Sequence, residues 1–169
     1  PYKIGEEIPS PQEYGQLISE VAAHMQQLKF IFEPGRMIMA NAGILVTKVI
    51  LVKKTAHRNF IVVDAAMNDL IRPSMYNAIH EIIPAEKSVG KINKFDIVGP
   101  VCESSDVFVR DIELAEPQEG DILILRSAGA YGAVMSSEYN TRKLTPEIMV
   151  QADKYAIIKK RPTYEEIIN

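Results

Sequence analysis

Apolar positions recur with helical spacing near the start of the chain: Tyr14, Leu17, Ile18, Val21, Ala22, Met25 and Leu28 form one stripe. The stripe is preceded by Ser10-Pro11-Gln12-Glu13, a capping box with proline at the first helical position, so a helix is predicted to start there. Phe30-Ile31-Phe32 is a short continuous apolar run, which predicts a strand buried on both faces. A helix followed by such a strand is an α/β unit, and one unit cannot form a sheet alone. From residue 42 the pattern changes to β. Residues 44–52 and 60–64 are rich in Val and Ile and are separated by the polar stretch 53–59, which predicts a hairpin. Further strands are predicted over 79–84, 95–101, 107–114, 121–126, 147–151 and 155–161. Turn signals separate them at Ser88-Val89-Gly90, Pro117-Gln118-Glu119-Gly120-Asp121 and Ala152-Asp153-Lys154. A second capping box, Thr163-Tyr164-Glu165-Glu166, opens a short terminal helix. Many short strands at this spacing predict a mainly β fold with α+β elements, a β-barrel or sandwich.

Composition narrows the partners. The chain has 169 residues, 47% hydrophobic and 24% charged, the balance of a soluble globular protein able to bury a core. The net charge is −3 and the basic residues are scattered, so no nucleic-acid partner is expected. No apolar run approaches the ~18 residues of a membrane span. The single cysteine excludes an intrachain disulfide and fits a reducing compartment, so a cytoplasmic location is expected. His24, His57 and His80 show no metal-ligand spacing with one another or with Cys102, and no metal site is expected.

Four short runs carry candidate chemistry. Cys102-Glu103-Ser104-Ser105-Asp106 sets the lone thiol beside a carboxylate at the end of an apolar strand, as a proton donor or nucleophile would be. An unpaired cysteine is also a common small buried hydrophobe. Glu33-Pro34-Gly35-Arg36 follows the predicted 30–32 strand, where α/β barrels place their active sites, and Arg36 could pair with a phosphate or carboxylate. A Pro-Gly turn with a solvated arginine is the simpler reading of that tetrapeptide. Arg72 and Tyr76, in Arg72-Pro73-Ser74-Met75-Tyr76, are four apart and could share one face of a helical turn. In Ser127-Ala128-Gly129-Ala130-Tyr131-Gly132, small residues around Tyr131 clear space for a flat ligand, or for a bend packed on another strand.

Taken together and in order, these runs resemble the C-terminal portion of the diaminopimelate decarboxylase family, pyridoxal-phosphate enzymes of the alanine-racemase-like class. The resemblance extends through Ala40-Asn41-Ala42-Gly43, Val63-Asp64-Ala65-Ala66-Met67-Asn68-Asp69, Gly99-Pro100-Val101, Ala133-Val134-Met135-Ser136-Ser137 and Tyr139-Asn140. It implies a Greek-key-like β domain over 41–169, preceded over 1–40 by the last helix and strand of a truncated (β/α)8 barrel. It implies that Glu33 faces the pyridine nitrogen of pyridoxal 5'-phosphate and that Gly35 and Arg36 line its phosphate. Arg36 could also reach substrate. Tyr131 would touch both cofactor and substrate. Arg72 would hold the distal carboxylate of diaminopimelate, with Tyr76 and Glu103 at the same end, Glu103 by pairing with the ammonium. Cys102 would be the acid that protonates the α-carbon after carbon dioxide leaves.

The resemblance also implies a homodimer with shared active sites, in which the Cys102 loop crosses into the neighbour's barrel. Ornithine and arginine decarboxylases share this architecture but tend to carry aspartate after the cysteine, so Glu103 with Arg72 favours diaminopimelate. The family's Schiff-base lysine and its Gly-rich phosphate loop lie early in the barrel, and no lysine here sits in that context. The chain starting at Pro1 is therefore expected to be a fragment without decarboxylase activity of its own. A stand-alone β domain used for assembly or regulation is the rival expectation.

Overall fold

The computed structural model describes residues 5, 7–87 and 89–168. The predicted helix start holds. Ser10 caps helix α1 (Pro11–Ala23): its Oγ accepts from the Glu13 N–H at 3.1 Å and Glu13 Oε2 accepts from the Ser10 N–H at 2.6 Å. The helix stops at His24, so Met25 and Leu28 fall beyond it, and the apolar stripe of Tyr14, Leu17 and Val21 lies exposed. Phe30-Ile31-Phe32 is not a strand. Its backbone finds no neighbouring strand among the described residues, and an extended run without a ladder partner is not a sheet element. The Phe30 and Phe32 rings instead stack on one side of the chain, 6.3 Å apart and within 5° of parallel.

The β region follows the predicted order. Strands β1 (Leu45–Lys54) and β2 (Asn59–Val63) form the expected antiparallel hairpin. Helix α2 (Arg36–Met39) precedes β1, and helix α3 (Arg72–Tyr76) follows β2. Then follow β3 (Ile82–Pro84), β4 (Ile92–Val98), β5 (Val107–Ala115) and β6 (Ile122–Leu125). A separate hairpin, β7 (Glu147–Gln151) with β8 (Lys154–Lys159), precedes helix α4 (Tyr164–Ile168), where Thr163 and Glu166 form the second capping box. The strand predicted over 79–84 keeps only its last three residues, and the one over 95–101 is displaced toward its start. Of the turn at Ser88-Val89-Gly90, Ser88 lies outside the described residues.

Six strands make one sheet in the order β3-β6-β1-β2-β4-β5. The first half of β1, Leu45 to Lys48, pairs with β6, while Val49 to Lys54 pair with β2 on the other side. That stagger is how a sheet curls toward a barrel instead of lying flat. Between Val49 and Leu51 the register shifts, because Ile50 is an extra residue opposite the single step from Val63 to Val62. Thr47 and Val49 therefore face the core, and Val52 rather than Leu51 continues that face. The core joins Val49, Ile61, Val63, Leu70, Ile82, Phe95, Ile97, Phe108, Leu123 and Leu125. Each such side chain contributes about 1.5–3 kcal/mol when fully removed from water.

Candidate functional site

Strand direction decides where the candidate residues meet. β2 runs antiparallel to β1 and parallel to β4, while β6 is antiparallel to β1. β2, β4 and β6 therefore point the same way, and the loops that follow them leave from one end of the sheet. Those loops carry Arg72 and Tyr76, Cys102 and Glu103, and Tyr131. The chain from Arg36 to Gly43 enters β1 at that same end.

Arg72 is the centre of one group. In α3 its guanidinium carbon stands 5.2 Å from the Tyr76 ring centroid and 5.0 Å from that of Tyr131, so two rings from different loops flank one cation. The helical spacing of Arg72 and Tyr76 is thus realised. Tyr131 takes φ +61°, a left-handed conformation that a bulky residue adopts only when its surroundings impose it. His80, just before β3, donates from Nδ1 to the Arg126 carbonyl at 2.9 Å. Burial holds its pKa below the usual imidazole value; the Arg126 carbonyl opposes this, and the positive charge of Arg72 adds to the lowering.

The Cys102 loop is joined to α3 by Ser74, whose Oγ donates to the Ser105 carbonyl at 2.6 Å. Cys102 and Glu103 are both exposed at the tip of this loop. Glu103 Oε1 accepts from the Ser105 N–H and the Ser104 hydroxyl, each at 3.3 Å. The Ser105 N–H contact is the main reason its carboxyl lies below the usual carboxylate range. Asp106 is 3% exposed, and its carboxylate accepts from the Met67 N–H at 2.7 Å and from the Val101 N–H at 2.8 Å. Burial pushes the Asp106 carboxyl up, and those two hydrogen bonds oppose the rise.

A polar network behind these groups ties the β2 and β6 loops together. Asn68 donates to the Ser137 carbonyl at 2.9 Å and accepts from Arg142 Nε at 3.1 Å. Arg142 also donates to the Asp64 carbonyl at 2.5 Å and pairs with Asp69 at 3.5 Å. Asp69 accepts from the Ala66 N–H and from the Thr145 hydroxyl, each at 2.8 Å. Sequence reasoning assigned no role to Asn68, Asp69, Asp106 or Arg142. The available signal was the density of Asp, Asn and Ser just past strand ends, where short polar side chains bond backbone groups.

The segment before β1 docks on the β6 loop. Ser127 donates to Asn41 Oδ1 at 2.6 Å, the Ala128 N–H to the Gly43 carbonyl at 2.9 Å, and the Gly129 N–H to the Ala40 carbonyl at 3.0 Å. Backbone approach is so close that a Cβ on Gly129 would lie 2.1 Å from the Met39 carbonyl oxygen. Glu33, Gly35 and Arg36 lie exposed just upstream, with Gly35 capping the short α2 that leads into this contact. The structure therefore joins Arg72, Tyr76 and Tyr131 directly and ties Cys102 and Glu103 to them through Ser74. Glu33, Gly35 and Arg36 sit on the adjoining exposed segment. A cleft of about 270 Å³ between residues 84–87, 114–117 and 120–123 includes none of these residues.

The donor set suits a phosphorylated pyridine. Glu33 offers an anion for a protonated ring nitrogen, Arg36 a cation for a phosphate, and the position of a Gly35 Cβ has no atom within 4 Å, which leaves room for a ligand to come close.

The family described as pyridoxal-dependent decarboxylase, C-terminal sheet domain, matches residues 16–129, and the chain belongs to that family. Among curated proteins, diaminopimelate decarboxylase of Vibrio cholerae is 50% identical over 153 residues, covering 90% of this chain and 36% of that protein. Among solved structures, AQ1208 from Aquifex aeolicus superposes with a TM-score of 0.93 at 46% identity, covering 99% of this chain and 41% of the other. Diaminopimelate decarboxylase from Helicobacter pylori, complexed with L-lysine, gives 0.89 at 41% identity, covering 97% and 40%. The chain thus spans less than half the length of the relatives it matches.

Proposed function

We propose that this chain is the C-terminal portion of a pyridoxal-phosphate-dependent decarboxylase that converts meso-2,6-diaminopimelate to L-lysine and carbon dioxide, a lyase of lysine biosynthesis. The observation that carries the reading is the Arg72 guanidinium flanked by Tyr76 and Tyr131, on a helix tied by Ser74 to the Cys102-Glu103 loop. Diaminopimelate has an amino acid group at both ends, so a remote-end site needs a cation and an anion together. Arg72 supplies the first, and Glu103 of the partner subunit, whose loop crosses into this barrel, the second. Residues 1–40 are the end of the barrel domain and 41–169 the β domain.

Each residue has a definable task. Pyridoxal phosphate, when bound, supplies the electron sink that lets a carboxylate leave as carbon dioxide. Glu33 would face the ring nitrogen and keep it protonated, Gly35 and Arg36 would hold the phosphate, and Tyr131 would pack against cofactor and substrate. Arg72 binds the distal carboxylate, with Tyr76 beside it, and Glu103 binds the distal ammonium. Arg36 reaches the substrate as well. Cys102 Sγ delivers a proton to the α-carbon. Cys102 and Glu103 stand exposed at a loop tip, as they would if the loop served a partner's barrel in a cytoplasmic homodimer.

The test compares the complete protein with this chain, both supplied with pyridoxal phosphate. Carbon dioxide release from diaminopimelate is expected from the complete protein alone. Cys102→Ala in the complete protein should slow turnover by about 100-fold or more with cofactor still bound. Unchanged turnover removes the acid role. Preference for ornithine or arginine in competition removes the substrate.

A further inference from the structure

We propose that Asp106 is a positioning residue, whose carboxylate clamps the Cys102-Glu103 loop to the end of the sheet and so fixes the placement of both side chains. The inference rests on the reaction proposed above. Its geometric basis is independent of that reaction.

Asp106 closes the loop at four points. Its two carboxylate oxygens each take a backbone N–H, from Val101 within the loop and from Met67 in the loop after β2. Its own N–H donates to the Glu103 carbonyl at 3.0 Å, and its carbonyl accepts from the Gly99 N–H at 3.0 Å. Cys102 and Glu103 thus lie inside a turn bracketed by one residue. Glu103 bonds Ser104 and Ser105 of its own turn, so its placement follows the placement of the turn.

The residue types at both ends of the clamp fit this role. Two amides approach from two loops, and only a carboxylate of this size accepts on both oxygens; an asparagine would turn an NH₂ toward one of them. Gly99 is fitted to the same group, since a Cβ there would lie 2.3 Å from Asp106 Oδ2 and 2.5 Å from Oδ1. A buried carboxylate is costly, and burial raises the proton affinity of this one. A residue serving packing alone would be apolar. What the charge maintains is a fixed distance between the β2 and β4 loops, the second of which carries Cys102 and Glu103.

The experiment uses the complete, cofactor-loaded enzyme and compares Asp106→Asn and Gly99→Ala with wild type and Cys102→Ala. Asp106→Asn is expected to lower kcat by ~10–100-fold, the cost of displacing a reacting group by about an ångström, with KM changed less than ~3-fold. Gly99→Ala moves the same carboxylate without changing its charge and should give the same split. A kcat per loaded site within ~2-fold of wild type in both variants overturns the proposal, because a merely structural role lowers only the amount of folded, loaded enzyme. Hydrogen exchange provides the reading that needs no variant to fold. The Met67 and Val101 amides of the wild-type enzyme should be protected like strand amides, and exchange at open-loop rates overturns the clamp. If Cys102→Ala leaves turnover unchanged, the reaction assignment fails. In that event protected Met67 and Val101 amides still uphold the clamp, and unprotected ones sink it.

Discussion

Asp96 is 2% exposed, and three groups converge on it: Arg58 at 2.8 Å, Arg110 at 3.3 Å and the Asp111 N–H at 2.9 Å. Burial pushes its carboxyl up, yet the Asp111 amide and the two arginines together outweigh burial and the net pKa is lowered. A carboxyl lowered on folding adds stability above its unfolded pKa, and that stability is lost as pH falls through the folded value. Asp96→Asn should therefore cost about 1–2 kcal/mol at neutral pH, discounted because both arginines are half exposed. The difference from wild type should shrink below about pH 4. Urea unfolding at pH 7 and pH 3 checks this, and a gap that widens in acid contradicts it. Asp106 acts with the opposite sign, since its carboxyl is raised. Such residues were invisible in the sequence because each takes its role from partners far along the chain: Arg58 is 38 residues from Asp96, and Met67 is 39 from Asp106.

Elements declared themselves where local chemistry decides them. The capping boxes at Ser10 and Thr163 were legible because each is complete within four residues, and the β1–β2 hairpin because Val and Ile runs flank a polar turn. Phe30-Ile31-Phe32 shows the limit of an apolar run, which states that a segment can be buried, while a strand also needs a ladder partner, and none lies among the described residues. The bulge at Ile50 was hidden inside a run apolar at nearly every position, where alternation gives no register. At the site, the four-residue step from Arg72 to Tyr76 was legible, but Tyr131 as the second ring on Arg72 was not. The join between the segment before β1 and the β6 loop is the element contact with the least slack. Gly129→Ala must displace the Met39 carbonyl, so it should destabilise the β domain by more than about 2 kcal/mol. Gly15→Ala, with no atom within 4 Å of its Cβ, should not. Thermal midpoints of the two variants test the contrast; equal shifts would mean the join is not as tight as the geometry requires.

The whole molecule is a curled sheet whose loops do the work at one end, while α1 and the β7–β8 hairpin carry exposed apolar side chains such as Leu17, Val21, Ile148 and Ile157. Strand direction brought the four motifs to that end, and no single motif could have announced it. The ties that hold the loops there have a consequence in time. Asn68 reaches Ser137 across 69 residues, Arg142 reaches Asn68 across 74, and Thr145 reaches Asp69 across 76, whereas the β1–β2 and β4–β5 hairpins close over short turns. Contacts so distant in sequence must meet their loop-closure entropy before they return any free energy, so they form late. In refolding, the amides of the β1–β2 and β4–β5 hairpins should be protected before that of Ser137 and before those of the β1–β6 ladder, whose partners are as far apart in sequence, and simultaneous protection would contradict that order. On the ribosome the same rule holds: the sheet can form while its carboxyl-terminal loops are still being made, and the site exists only once residues 137–145 have emerged.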